Sequence, residues 1–192
     1  MIEQSLIEAC NNNNAAAQRE LYNRFSGVLF GVCYRYAFRR EDAEDMLQEG
    51  FIKIFKNIES FGNKGNFEGW MKKVMVNTCI NYLKKNKRLT EMLNIENAYT
   101  LEIQEESIAS KLLGKQVMEC LRMMPIGYRT VINLFAIEGY SHKEIAEMLA
   151  ITESTSRSQF VRGKSLLESI LINKKITDTK VDKLEWMTLL NN

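Results

Sequence analysis

Arg157 and Arg162 stand out in the stretch 153–167, with Ser158 and Ser165 near them. Ser156, Phe160, Gly163 and Leu167 fall roughly on one face of the same helix, which leaves the arginines pointing elsewhere. A short helix that buries one side and offers guanidinium and hydroxyl groups on the other suits a DNA major groove. There arginine reads guanine edges or grips phosphates, and small hydroxyl side chains read bases or fix the backbone. The preceding residues supply the partner helix. Ser141 and Glu144 form an S-x-x-E capping box that starts it, and Ile145, Ala146 and Leu149 line one face. Ala150-Ile151-Thr152 breaks the period, and Thr152 or Ser154 can cap the second helix. A helical hairpin with a merely solvated face has the same local pattern, so the choice rests on the remainder of the chain.

A second cluster lies upstream. Between Gly69 and Thr90 there is no acidic residue, while Lys72, Lys73, Lys84, Lys85, Lys87 and Arg88 are basic. Trp70 and Tyr82 share that stretch, and Phe61 and Phe67 precede it. Lysines neutralise phosphates and aromatic faces stack unpaired bases, a pairing that favours single-stranded nucleic acid. Asn77 and Asn81, four apart on one helical face, can hydrogen-bond base edges. Trp70, Val74 and Leu83 recur at helical spacing and are expected in the core rather than as stacking platforms.

The elements that must position these groups are helical. In 192 residues there are one proline and ten glycines, which suits helices better than a turn-rich β architecture. The expected fold is all-α: two small helical domains joined by a linker, with a helix-turn-helix in the C-terminal one. The first domain spans 1–90. It holds helices over Ala15–Phe25 and Val28–Phe38, then one opening on Glu41-Asp42-Ala43-Glu44-Asp45, where the helix dipole favours acids. Leu47, Phe51, Ile54, Phe55 and Ile58 give that helix its apolar face, a glycine-bearing loop covers Phe61–Asn66, and a long helix runs over Phe67–Arg88. Residues 91–108 read as the linker; Glu91, Glu96, Glu102, Glu105 and Glu106 in that acidic stretch face no basic residue. The second domain spans 109–173, with helices over Leu112–Met123 and Arg129–Ile137 and Pro125 at a helix start. In the tail, 174–192, Val181, Leu184, Met187 and Leu190 recur every three residues: a short amphipathic helix that packs on its own domain or makes a regulatory contact.

Composition excludes several classes. No apolar run approaches the roughly 20 residues that span a bilayer, and the first residues lack a signal-peptide pattern, so a cytoplasmic protein is expected. Cys10, Cys33, Cys79 and Cys120 are scattered and His142 is the only imidazole, which fits buried reduced thiols and no metal site. No phosphate loop, triad spacing or metal cluster supports an enzyme, and no cofactor or small-molecule substrate is implied.

Taken in order, four segments resemble the bacterial RNA polymerase sigma factors of the extracytoplasmic-function, sigma-70-like group. They are DAEDMLQEGFIKIF at 42–55, FEGWMKKVMVNTCINYLKK at 67–85, LRMMPIGYRTVINLFAIEGYSHKEIAEML at 121–149 and TSRSQFVRGKSLL at 155–167. The resemblance implies a role for each. Asp45, Gln48 and Glu49 would dock on the clamp coiled coil of the polymerase largest subunit, with Leu47 and Phe51 in the core. The loop residues Asn63, Lys64 and Asn66 would line a pocket for a flipped minus-ten base, with Asn77 its foremost reader. Lys72, Lys73, Lys84 and Lys85 would hold the freed strand. Arg157, Ser158 and Arg162, joined by Thr155 and Gln159, would meet the minus-thirty-five element as duplex.

Further partners implied by the resemblance are the flap of the second-largest polymerase subunit and an anti-sigma factor, often membrane-anchored; the linker would pass near the RNA exit path. The chain departs from the family pattern at Ala150, where glycine is usual, at Ser156, where an apolar residue is usual, and at Gly163-Lys164, where Ala-Arg is frequent. The competing reading is a stand-alone helix-turn-helix regulator. The segments at 42–55 and 67–85 distinguish the two, since a stand-alone regulator has no use for them.

Overall fold

The computed structural model describes residues 2–62, 65–85 and 113–174. The linker assigned to 91–108 and the tail at 174–192 lie outside the described residues, apart from Lys174. The chain divides into two compact units, residues 1–86 and 87–192. Among the described residues every regular element is helical.

In the first unit α1 (Ile2–Asn11) leads into α2 (Ala15–Tyr36), α3 (Arg40–Asn57), a 3-10 turn (Ile58–Phe61) and α4 (Phe67–Lys85). The two helices expected over 15–25 and 28–38 are one continuous helix, because nothing between Phe25 and Val28 breaks the backbone hydrogen bonding. Asn14 starts it, its side-chain oxygen accepting from the Ala17 N–H at 3.0 Å. Helices α2, α3 and α4 pack pairwise, and Leu21, Leu29, Tyr36, Met46, Ile54, Met71, Met75 and Leu83 are fully enclosed between them. Gly50 lets α3 come close to α4: a β-carbon there would overlap the Met75 thioether. Leu47 and Phe51 are buried as expected.

The second unit holds α5 (Leu113–Arg122), α6 (Ile126–Ile132), a π turn (Asn133–Ile137), α7 (His142–Leu149) and α8 (Glu153–Asn173). Pro125 takes the cap position just before α6, where its missing N–H costs nothing. The helix expected to run on to Ile137 widens into the π turn, closed by Glu138 N–H donating to the Asn133 carbonyl at 3.0 Å. Arg129 lies in the core of this unit, its Nη1 donating to the Arg122 carbonyl at 3.0 Å. Burial, with Arg122 nearby, pushes its guanidinium down to about 9. Gly163 sits at the closest approach of α8 to α6, where a β-carbon would stand 3.0 Å from Ile132 Cδ1 and 3.1 Å from Tyr128 Cβ. All four cysteines are buried and free, and burial raises the Cys120 thiol to about 11.

Candidate nucleic-acid interface

Helices α7 and α8 form the expected hairpin, and both starts are built by short polar side chains. The Ser141 hydroxyl accepts from the Glu144 N–H at 3.3 Å, and the Glu144 carboxylate accepts from the Ser141 N–H at 2.8 Å. Two orphan donors at the head of α7 are thereby satisfied reciprocally. Thr152, rather than Ser154, caps α8: its Oγ1 accepts from the Thr155 N–H at 3.0 Å. Between the helices Ala150 adopts φ 57° and ψ 45°, the left-handed conformation that glycine usually supplies. A side chain there costs about 1 kcal/mol.

The face assignment along α8 holds for the core side, where Ser156, Phe160, Gly163 and Leu167 are all buried. On the open side Arg157, Ser158, Arg162 and Ser165 are exposed. Arg157 is ion-paired with Glu153 one turn earlier, both partners solvent-facing. Gln159 differs from expectation: it is only 9 % exposed, because Phe160 and Ser156 pull that edge of the helix onto the core. It is therefore withdrawn from the open face. Thr155 is half-buried, and its hydroxyl lies 2.8 Å from that of Thr152, so part of its hydrogen-bonding capacity serves the cap.

One residue of this face is not expected from the sequence. Val161 is 63 % exposed, between Ser158 and Ser165 on the open side. Its spacing from Arg157, Ser158, Arg162 and Ser165 is the available signal, but its apolar type points to the core. An exposed methyl group here can contact a thymine methyl.

The other candidate face belongs to α4. Lys73, Asn77, Asn81 and Lys84 are exposed and succeed one another at spacings of four, four and three, so they form one solvent-facing row with Lys85 at its end. Among the described residues Lys73 and Lys84 make no ion pair. Lys72 is half-buried and bound to Glu68 at 2.7 Å, which sets it apart from that row. At the head of the helix Phe61, Phe67 and Trp70 form an aromatic cluster; Phe67 and Trp70 stack with centroids 5.6 Å apart. Phe61 and Phe67 are buried, Leu83 is buried, and Trp70 and Val74 are half-buried, so the core assignment fits Leu83 fully and the other two in part. Asn66 is exposed, but its side-chain oxygen accepts from the Gly69 N–H at 3.0 Å and starts α4. Asn63 and Lys64 lie outside the described residues.

On α3 Asp45 and Gln48 are exposed and Glu49 is half-buried. Glu49 accepts from Lys53 at 2.8 Å and lies 3.7 Å from Lys85. The hydrogen bond from Lys53 is the main cause holding its carboxyl below the ordinary glutamate value, and the Lys85 charge adds to it. Tyr82 donates its hydroxyl proton to buried Asp42 at 3.2 Å, with Asp45 at 3.5 Å. Beside these residues a groove of about 370 Å³ is lined by Tyr22, Phe30, Arg40, Glu44, Leu47 and Gln48. Glu49, assigned to a protein partner, and Lys85, at the basic end of the strand-holding row, thus form an ion pair, which spacing along the chain does not reveal.

Two helical units, one of them holding a capped helix-turn-helix with an arginine-bearing open face, define an all-α class of protein among the described residues. Its class is narrowed by comparison: residues 21–89 match the Sigma-70 region 2 family and residues 114–167 match Sigma-70, region 4. Together the two matches cover well over half of the chain, and it belongs to the sigma-70 family, in the extracytoplasmic-function group. The ECF RNA polymerase sigma-E factor of Haemophilus influenzae is 29% identical over 88% of this chain and 95% of its own length. The ECF RNA polymerase sigma factor SigW of Bacillus subtilis is 26% identical over 89% and 97%. Among solved structures, CnrH in complex with the cytosolic domain of CnrY matches with a TM-score of 0.47 and 20% identity, over 88% of this chain and 96% of that one. The protein is a sigma factor that directs promoter-specific transcription initiation. The region 2 match leaves the stand-alone regulator without support.

Proposed function

We propose that the protein binds core RNA polymerase through α3 and grips a promoter at two points, the minus-ten element with α4 and the minus-thirty-five element with α8. The observation that carries this is the position of the two open rows. Lys73, Asn77, Asn81 and Lys84 lie inside the region 2 match, and Arg157, Ser158 and Arg162 inside the region 4 match. In this reading Asn77 takes base edges of the parted strand, and Lys73, Lys84 and Lys85 hold its phosphates. Extruding a base costs a few kcal/mol of unstacking, which those phosphate contacts offset. Arg157 and Arg162 position the duplex, with Ser158 and Thr155 as smaller contacts.

Asp45, Gln48 and Glu49 meet the clamp coiled coil, where an acidic face suits a basic partner; the C-terminal unit meets the flap. The protein works in the cytoplasm and carries out no chemistry itself, since phosphodiester formation belongs to the polymerase. Among the described residues no helix is long and apolar enough to cross a membrane. As a member of its group it is held inactive by an anti-sigma factor. The acidic stretch 91–108 mimics a nucleic-acid strand near the RNA exit path. Replacing Glu91, Glu96, Glu102, Glu105 and Glu106 with glutamine then shifts the ratio of abortive to productive transcripts, and an unchanged ratio removes that part.

Run-off transcription with core polymerase on a randomised promoter library tests the whole. The expected result is core-dependent initiation from one recurrent pair of elements. Initiation on no sequence overturns the proposal, and nanomolar duplex binding by the free protein favours a stand-alone regulator.

A further inference from the structure

Ser156 is completely buried in the helix that carries the arginines, at a position where an apolar contact would pack without any polar cost. A hydroxyl enclosed there needs a partner, and it has one on the other helix of the hairpin: Ser156 Oγ lies 2.9 Å from His142 Nδ1. The imidazole is braced by two aromatic rings. It stacks flat on Phe135, with centroids 4.4 Å apart and planes at 11°, and Phe160 meets its edge at 5.7 Å. Phe160 in turn packs against Phe135 at 4.6 Å, so the three rings brace one another. His142 is the first residue of α7, and Ser156 is flanked by Thr155 and Arg157 on α8. The two atoms therefore join the head of one helix to the DNA-facing turn of the other.

We infer that the His142–Ser156 hydrogen bond sets the rotation of α8 about its own axis, making these two side chains positioning residues for minus-thirty-five discrimination. The inference rests on the reading of α8 as the minus-thirty-five reader. Apolar packing of Phe160 and Leu167 fixes how close α8 lies to the rest of the unit but tolerates sliding and small rotations. A hydrogen bond is directional, and it weakens steeply as its angle closes. One such bond beside Arg157 pins the guanidinium's point of departure, and with it the base pair that Arg157 can reach. Neither side chain touches DNA in this scheme; both act through Arg157 and its neighbours. Burial, with the Arg157 charge close by, lowers the proton affinity of the imidazole and Glu153 works against them; the Ser156 hydroxyl can donate to Nδ1 or accept from it, according to the tautomer.

The test uses full-length protein with core polymerase and reads the ratio of initiation at the preferred minus-thirty-five hexamer to that at single-base variants. Ser156→Ala removes the hydroxyl, His142→Phe keeps the ring and loses the nitrogen, and His142→Asn keeps a polar atom near Nδ1 and loses the ring. Ser156→Ala and His142→Phe are expected to reduce the ratio about fivefold each, and their combination to lose no more than either alone. His142→Asn recovers part of the ratio, while discrimination at the minus-ten element stays at the wild-type value for every variant. Thermal unfolding confirms that each C-terminal unit is folded. A folded Ser156→Ala protein with the wild-type ratio overturns the inference, as do additive losses in the double variant. If wild type itself shows no hexamer preference, the reading of α8 falls and the inference falls with it.

Discussion

The open row on α4 and the open face on α8 bear similar side chains, yet they are built differently. The α8 face opens at a helix head fixed by Thr152, by the left-handed Ala150 and by the His142–Ser156 bond. Its foremost arginine is already held by Glu153. The α4 row instead runs from Lys73 to the last turn of a helix that packs against α2 and α3, and Lys73 and Lys84 form no ion pair among the described residues. A duplex presents base edges at fixed heights, so its reader has to be held in register. A parted strand is supple and can move to meet its contacts, so a row of separate cations and amides suffices.

Replacing the leading residue of each face makes the comparison breakable. Asn77→Ala should lower initiation at least about tenfold on a duplex promoter and far less on a template whose minus-ten region is already mismatched open. Arg157→Ala should cost a similar factor at a promoter with its preferred minus-thirty-five hexamer and little where that hexamer is scrambled. Equal losses on all four templates would mean that the two faces are not separate readers. A milder change probes the turn: Ala150→Gly should stabilise the C-terminal unit by about 1 kcal/mol, seen in urea unfolding, by relieving the left-handed alanine. Glycine also loosens the hinge, so hexamer discrimination should fall although stability rises.

Smaller still is the salt effect. Lys84→Gln should reduce the slope of log affinity against log salt for a single-stranded minus-ten oligonucleotide by about 0.7, measured on holoenzyme. The smallest is a pH effect. Burial, then Arg157, lowers the His142 proton affinity in the folded state, whereas Glu153 works against them. The unfolded chain therefore binds the extra proton first, and the C-terminal unit should lose stability as pH falls below about 6.5, the ordinary histidine value. Calorimetry on wild type and His142→Phe checks this, and an identical acid response in both would remove it.

Much of the hairpin is legible in the sequence because its signals are local. Ser141 with Glu144, and Thr152 before Glu153, state helix starts within four residues, and the 156/160/163/167 period states a buried face. Gln159 departs from its expected place because the buried arc of α8 is wider than the one row which period alone marks. Asn66 reads as a loop side chain, and its use as a cap depends on where α4 begins. The Glu49–Lys85 and Tyr82–Asp42 contacts join residues about forty apart or fewer, and nothing in either segment announces its partner. The joining of two expected helices into α2 is hidden because the residues between them, including Gly27, weaken helix propensity without forbidding it.

The π turn at Asn133–Ile137 has a consequence of phase. A hydrogen bond reaching back five residues instead of four wraps one extra residue into the turn, so the chain beyond it is offset by about 100° from an uninterrupted α-helix. Phe135 lies within that widened turn and is the floor on which His142 rests. Removing a single residue between 133 and 137 would let the backbone close into ordinary α-helix at little local cost. The floor would then turn away from the imidazole, and a deletion well outside the DNA-facing helix would reach it through the angle of a ring.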